Sequence, residues 1–510
     1  MTTNVLQLLE ESARRFPDKT ALREVERTLS YSKLCELSRR TGSALAGRDL
    51  RRKAVGVYAE KGIDALCGFF GAVYAGAFYT MLNTELPDAR LRSIQSVLEA
   101  PVILTTSDLA GRAREIFPGT EILIISDLAA HDIDEGALNA ARRGAIDTDP
   151  LYVNFTSGST GVPKGIAVCH RSVLDFIGFF TELFGITDSD VIANQAPFDF
   201  NVSVKDIYSA IATGAELVIV PREYFSAPTK LIDWLCDSKV TTMIWAVSAL
   251  CLITTFHGLD YKTPETVSKI LFSGEVMPVK HLREWQKHLP EAMYVNLYGP
   301  TEITCNCTYH ILEPGRDYSA GIPTGVPFPN EDVFLLGENN QRITEPGQTG
   351  IITVRGTALA LGYYKNDAQN AGAFIQNPLN TAYPETVYLT GDLGMYSEDG
   401  ELMFCGRADN QIKYQGHRIE LEEIERAMSA VKGVERCFCL FDEKKSRLRG
   451  YYVGEAEKAD IVSEMSASVP PFMIPGTIYK LDNMILTKNG KIDRAATAAT
   501  AGGKSRGTGN

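Results

Sequence analysis

From Val5 to Ala46 the apolar residues recur at helical spacing, broken by Phe16-Pro17-Asp18-Lys19 and by a short strand-like run, Ala21-Leu22-Arg23-Glu24. Beyond this the chain alternates. Short β-rich runs at Ala54 to Tyr58, Val102 to Thr105, Glu121 to Ile125, Glu216 to Val220, Thr242 to Val247, Lys269 to Phe272 and Met293 to Leu297 are separated by helical patterns. That alternation predicts parallel sheets covered by helices, an α/β architecture. Between Thr324 and Phe404 the spacing shortens to strands with Gly/Pro turns, as in Glu345-Pro346-Gly347-Gln348-Thr349-Gly350, and predicts a small β-rich subdomain over about 324–404. Past Asp409 comes a compact pattern: a helix from Glu420 to Ala430, strands from Arg436 to Leu440 and from Leu448 to Val453, a further helix and a last strand. The expected division is a core over 1–408, a mobile α+β C-terminal domain over 409–494, and a disordered tail over 495–510, which is rich in Ala, Gly, Ser and Thr without an apolar period.

Composition narrows the function. At 510 residues and 45% hydrophobic, the chain is long enough for several hydrophobic cores. The net charge of −12 repels nucleic-acid phosphates and anionic membrane surfaces, so neither is expected as a partner. Apolar stretches such as Ala65 to Leu82 hold too many small and polar residues to span a bilayer, and the N-terminus has no basic segment leading into an apolar one. A cytoplasmic location is expected. The ten cysteines are scattered. The pairs Cys305/Cys307 and Cys437/Cys439 lack metal-ligand spacing and are expected each to share one strand face as reduced, mostly core thiols.

The chemistry concentrates first at Thr156-Ser157-Gly158-Ser159-Thr160-Gly161-Val162-Pro163-Lys164-Gly165, between two apolar strand-like runs. Glycines let the backbone bring N–H groups to an anion, hydroxyls add donors, and Lys164 adds charge, which together make a phosphate cradle. The order G-x-x-x-x-G-K-[ST] is absent, so this is not a Walker A loop. An isolated stretch of this kind is more often a polar turn, but ten consecutive positions of fixed character outweigh that reading.

The loop resembles the core motif of the adenylate-forming (ANL) superfamily, which comprises nonribosomal peptide synthetase adenylation domains, acyl-CoA synthetases and luciferases. In the same order as in that superfamily follow Asn296-Leu297-Tyr298-Gly299-Pro300-Thr301-Glu302, Thr390-Gly391-Asp392, Gly406 to Lys413, Gly416-His417-Arg418-Ile419-Glu420 and Thr487 to Arg494. The resemblance implies ATP and Mg²⁺ as cofactors and assigns roles residue by residue. Glu302 would bind magnesium and Thr301 the α-phosphate. Tyr298 would lie at the adenine with Asn296, Leu297, Gly299 and the Gly274-Glu275 turn beside it, and Asp392 and Arg407 would hold the ribose. Lys491 would reach the substrate carboxylate and the α-phosphate, and Asp409 would be the hinge about which the C-terminal domain turns, presenting Lys413 and the Gly416 loop for the second half-reaction. Taken singly, Asp392 reads as a turn aspartate, Arg407 as a surface charge and Lys491 as a solvated lysine; motif order and spacing outweigh this for the first two, and the family resemblance for Lys491.

The segment Phe198-Asp199-Phe200-Asn201-Val202-Ser203-Val204-Lys205 resembles the acid-pocket motif of amino-acid adenylation domains. Counting back from Thr213-Gly214 puts Asn201 where relatives carry the aspartate that takes the substrate α-ammonium. A register using Asp199 restores the carboxylate but needs two extra residues in the following helix, and both registers stay open. By the same matching the remaining lining is Val202, Lys205, Ile244, Leu271, Ser273, Leu297, Cys305 and Asn306. Lys205 is its one charged member, and its alternative role is pairing with a carboxylate such as Asp199.

The expected reaction is ATP-dependent adenylation of a small amino acid or related carboxylic acid, then thioester transfer to the phosphopantetheine of a separate carrier protein. Without a carrier motif after it or a condensation domain before it, the chain is expected to resemble stand-alone and D-alanine-type carrier-protein ligases. An acyl-CoA synthetase and a catalytically silent nucleotide-binding relative are the alternatives.

Overall fold

The computed structural model describes residues 2–158, 162–409, 411–442, 445–485 and 492–503. The chain divides into two compact units. The first takes in 1–84, 98–155 and 165–408; the second takes in 85–97, 156–164 and the chain from Asp409 onward.

Three sheets build the first unit. In the nine-stranded sheet, parallel strands Lys269–Ser273, Thr242–Ala246, Val191–Asn194, Glu216–Ile219 and Thr20–Arg23 run side by side, with Met293–Tyr298 parallel to Lys269–Ser273. The seven-stranded sheet centres on Phe78–Met81, Ala54–Tyr58 and Val102–Thr105. Parallel strands buried on both faces read as continuous apolar runs, and the burial of all five residues of Ala54–Tyr58 is the consequence. The small third sheet is antiparallel: Glu331–Leu336 pairs with Thr349–Gly356, which pairs with Thr386–Tyr396, which pairs with Leu402–Arg407. It is the β-rich subdomain that the shortened spacing announced.

The apolar stretch near Ala65 is the helix Ile63–Tyr74, nearly all of it buried. One core cluster joins it to both large sheets through residues such as Val55, Phe69, Ile192, Leu217 and Ile244. A second cluster around Trp245 and Trp285 fills the other face of the nine-stranded sheet. Among the described residues no helix is long and apolar enough to cross a membrane.

The helix Val202–Thr213 matters most for the site. Nine of its twelve residues are buried, including Lys205 and Asp206. It stops at Gly214, whose φ of 83° is left-handed, and a Cβ there would lie 2.5 Å from the Phe16 ring.

In the second unit, helix Leu421–Ser429 follows the hairpin Gln411–Tyr414/His417–Glu420, and Val434–Asp442, Arg447–Gly454 and Thr477–Lys480 form a sheet. Two expectations are corrected. Residues Arg494–Gly503 are helical rather than unstructured: alanine supplies helix propensity even without an amphipathic period. Cys305 and Cys307 do not share a strand face, because the chain there is still leaving the 3₁₀ turn Thr301–Ile303 and enters a strand only at Thr308. Cys437 and Cys439, two residues apart on strand Val434–Asp442, do share one face. None of the ten cysteines is joined in a disulfide.

Candidate functional site

Strand Met293–Tyr298 delivers Asn296, Leu297 and Tyr298 to one end of the nine-stranded sheet, and Gly299-Pro300 turns the chain into the 3₁₀ segment Thr301–Ile303. The Tyr298 hydroxyl donates to Asp392 Oδ2 at 2.7 Å, and the Arg407 guanidinium pairs with Asp392 Oδ1. Asp392 and Arg407 face each other in register across their strand pair. Asp392 is 1% exposed, and burial together with that carboxylate holds the Tyr298 hydroxyl far above its usual pKa, so it remains a donor. Asn296 donates through its side chain to the Pro323 carbonyl. Gly274, with φ of 98°, forms the turn that carries Glu275 from the end of the neighbouring strand Lys269–Ser273.

Glu302 is also 1% exposed, and its Oε1 accepts from the Tyr363 hydroxyl at 2.7 Å. A buried carboxylate is an oxygen donor of the kind magnesium takes, so the residue fits the expected metal role. Tyr363 escaped the sequence reading because a lone tyrosine on a two-residue strand, Gly362–Tyr363, carries no pattern.

The acid-pocket candidates come together. Ile244, Leu271, Leu297 and Cys305 share one buried cluster, and Ile244 pairs with Leu271 while Ser273 pairs with Leu297 in the sheet register. Lys205, 1% exposed, donates to Asn306 Oδ1 at 2.8 Å and to Ser273 Oγ at 3.2 Å. The Cys305 thiol donates to the Asn201 carbonyl at 3.1 Å, and Asn201 and Val202 open the helix. Cys305 has a φ of 137°, a conformation that costs a non-glycine residue strain.

Asp199 does not pair with Lys205. Its carboxylate accepts from Asn83 Nδ2 at 3.2 and 3.3 Å, and burial pushes its pKa up to about 6. Among the described residues no carboxylate lies within 4 Å of Lys205 Nζ, and burial lowers the pKa of this ammonium. Next to it in the helix, Asp206 accepts from Asn194 Nδ2 at 2.7 Å while its Oδ1 finds no donor among the described residues, and burial raises its pKa to about 8. Lys61 lies half-buried on the carbonyls of Asn194 and Gln195, its pKa drawn down to about 8 by desolvation. Neither residue had a sequence signal beyond a charge inside an apolar pattern.

In the second unit the donors of the Thr156–Lys164 loop meet carboxylates. Gly158 N–H donates to Glu423 Oε2 at 3.1 Å, Lys164 Nζ lies 3.0 Å from Glu420 Oε1, and Arg90 holds Glu423 Oε1 at 2.5 Å. Ser157 Oγ donates to the Arg418 carbonyl, Arg90 reaches the Thr156 carbonyl, and Arg426 donates to the Gly158 carbonyl. Buried donors of this set are matched to anionic oxygens. Asp409 accepts from the Gln411 N–H through its side chain. Ser159, Thr160, Gly161 and Lys491 lie outside the described residues.

A family model described as "AMP-binding enzyme" matches residues 9–364. Tyrocidine synthase 3 of Brevibacillus parabrevis is 31% identical over 509 residues, 97% of this chain and 8% of that protein. Zwittermicin A synthase ZmaJ of Bacillus cereus is 30% identical over 515 residues, 98% of this chain and 95% of that protein. The chain spans less than half the length of the large synthases it matches, from 6% to 44% for six of them. Among solved structures, holo-PA1221, described as an NRPS protein containing adenylation and PCP domains, superimposes with a TM-score of 0.83 at 24% identity, over 98% of this chain and 84% of that one, and so shares the fold.

Proposed function

Because the chain belongs to the AMP-binding enzyme family, in its adenylate-forming branch, we propose that it activates a small amino acid or related carboxylic acid as the acyl-adenylate and transfers the acyl group to the phosphopantetheine thiol of a carrier protein. In the first step a carboxylate oxygen attacks the α-phosphorus of ATP and pyrophosphate leaves. In the second a thiol displaces AMP from the mixed anhydride.

Nucleotide binding falls to residues whose geometry suits it. Asp392, with Arg407 and Tyr298 on its two oxygens, would accept from ribose hydroxyls. Thr301 would contribute a hydroxyl to the α-phosphate, and the loop donors, which here hold the Glu420 and Glu423 carboxylates, are of the type that binds phosphate oxygens. Glu302 would hold magnesium, whose chemistry is neutralisation of developing phosphate charge. Lys491 would add a cation at the reacting carboxylate, the C-terminal domain over 409–494 would be mobile, and Asp409 would be its hinge. Support for a carrier acceptor comes from PA1221, where adenylation and carrier domains share one protein. A cytoplasmic location agrees with this reading.

The observation that carries the substrate class is the buried Lys205 ammonium on two neutral oxygens, Asn306 Oδ1 and Ser273 Oγ. Together with a neutral Asn201, it favours an acid that presents an anionic or strongly accepting group away from the activated carboxylate, or lacks a free α-ammonium. A second ammonium at roughly 4 Å from Lys205 would cost about 4 kcal/mol at an effective dielectric near 20.

An acid-dependent pyrophosphate-exchange screen over amino, hydroxy, keto, aryl and dicarboxylic acids tests the reading. The highest exchange is expected with acids of the stated class, and a preference for leucine-like substrates would refute it. Offering CoA and a phosphopantetheinylated carrier side by side identifies the acceptor, since thioester accumulates only on the one the enzyme uses.

A further inference from the structure

In the first unit, the segment from His257 to Thr263 and the C-terminal end of helix Val279–His288 bring four chemistry-bearing side chains together, none of them used above. Glu284 and His288 lie four residues apart and therefore on one face of the helix. His288 Nε2 is 3.2 Å from Glu284 Oε1 and 3.4 Å from Asp260 Oδ1, and the three ligating atoms all lie within 4.8 Å of one another. Zinc bonds of about 2.0–2.1 Å in a tetrahedron place neighbouring ligand atoms about 3.3 Å apart. Both His288 separations match that edge, whereas each is long for a charge-assisted N–H···O bond, whose usual length is about 2.7–2.9 Å.

The surroundings orient each donor. Thr263 Oγ1 lies 3.3 Å from His288 Nδ1 and donates its own proton to the Leu259 carbonyl, so it accepts from Nδ1–H. That tautomer leaves Nε2 as a lone pair aimed between two carboxylates, an arrangement a cation resolves. His257 Nδ1 holds the far oxygen of Asp260, Oδ2, at 3.0 Å. Lys287 is the rival cation at Glu284 Oε1, at 3.2 Å. It is 66% exposed, and an i,i+3 pair of that exposure is weakly held.

We propose that His288, Glu284 and Asp260 bind a divalent transition-metal ion of the zinc type, with solvent at the remaining position, clasping the 257–263 segment to the helix end. The chemistry is one imidazole and two carboxylates, and it is independent of the magnesium expected at Glu302.

Calorimetric titration of the full chain with zinc, with cobalt as a spectroscopic probe, tests it. One ion per chain is expected, and cobalt should show the visible bands of a nitrogen and oxygen environment without a thiolate charge-transfer band, which separates this site from the ten cysteines. His288→Ala should remove binding. Glu284→Gln and Asp260→Asn, at partly exposed positions that do not threaten folding, should each weaken it at least tenfold. Thr263→Val should weaken it by about tenfold through the lost orientation of the imidazole. A control, Glu265→Gln, should bind as the parent does. Binding that survives His288→Ala and Asp260→Asn unchanged, a thiolate band, or no binding of either ion by the parent protein overturns the proposal; the last result identifies the cluster as an ion pair of protonated His288.

Discussion

At the scale of single residues, two neighbours on and beside one helix carry opposite lessons. Lys205 keeps its ammonium buried on neutral oxygens, so its charge is available to a substrate. Lys205→Met retains the stem and removes the charge; we expect the Michaelis constant for the native acid to rise by about ten- to a hundredfold, the worth of a charge-assisted hydrogen bond, with a smaller effect on turnover. Steady-state pyrophosphate exchange measures this, and an unchanged Michaelis constant would remove Lys205 from the acid site. Asp199 is half-buried against Asn83, and desolvation pushes its pKa up to about 6 from a usual 3.8, which makes its ionised form costly by about 3 kcal/mol. Below about pH 4 both folded and unfolded chains hold the proton and nothing is lost. Between about pH 4 and 6 the unfolded chain ionises first, and above about pH 6 the full cost is in force. Asp199→Asn should therefore raise the thermal midpoint at pH 8 and leave it unchanged near pH 4. The same variant separates the two registers, because a substrate-binding Asp199 would lose amino-acid activation on this change.

At the scale of elements, the turn from strand Met293–Tyr298 into Thr301–Ile303 joins the proposed nucleotide residues to the proposed acid pocket. Gly299 sits where a Cβ would lie 2.5 Å from the Asn306 Cα and 2.8 Å from the Cys305 carbonyl oxygen. Backbone on the far side of a strained residue has little room to yield. Gly299→Ala should displace Glu302 and Asn306 together. We expect pyrophosphate exchange to fall by at least tenfold, corresponding to about 1.4 kcal/mol in the barrier, with far-ultraviolet circular dichroism unchanged. Normal exchange would show that the turn relaxes without moving the site.

For the whole molecule, the proposed two half-reactions would require the C-terminal domain to contribute differently to each. Lys491→Ala should reduce adenylation by on the order of a few hundredfold, about 3 to 4 kcal/mol, and spare thioester formation from supplied acyl-adenylate. Asp409→Pro, which fixes φ at the expected hinge, should instead slow the thioester step more than adenylation. Single-turnover assays of each half-reaction measure both, and equal losses in the two steps would refute the alternating domain.

The sequence by itself determined the α/β layering, because strands buried on both faces must be apolar throughout: seven of the expected runs, from Ala54 to Tyr58 onward, became strands with ends shifted by no more than one residue. It also supplied the ordered motifs that carry Asp392, Arg407, Tyr298 and Glu302, on which the proposed nucleotide and magnesium roles rest. Local signals failed where composition and period disagreed, as in the alanine-rich helix Arg494–Gly503, and where a turn delayed a strand, as at Cys305 and Cys307. Only the tertiary structure decided the partners of the buried and half-buried charges. Lys205 and Asp199 are six positions apart, close enough to suggest a pair, yet one turns to Asn306, 101 residues away, and the other to Asn83, 116 residues away. Periodicity tells which face of an element is covered. Which atom on a distant strand meets a buried ammonium depends on how the sheets pack, and no local pattern encodes that.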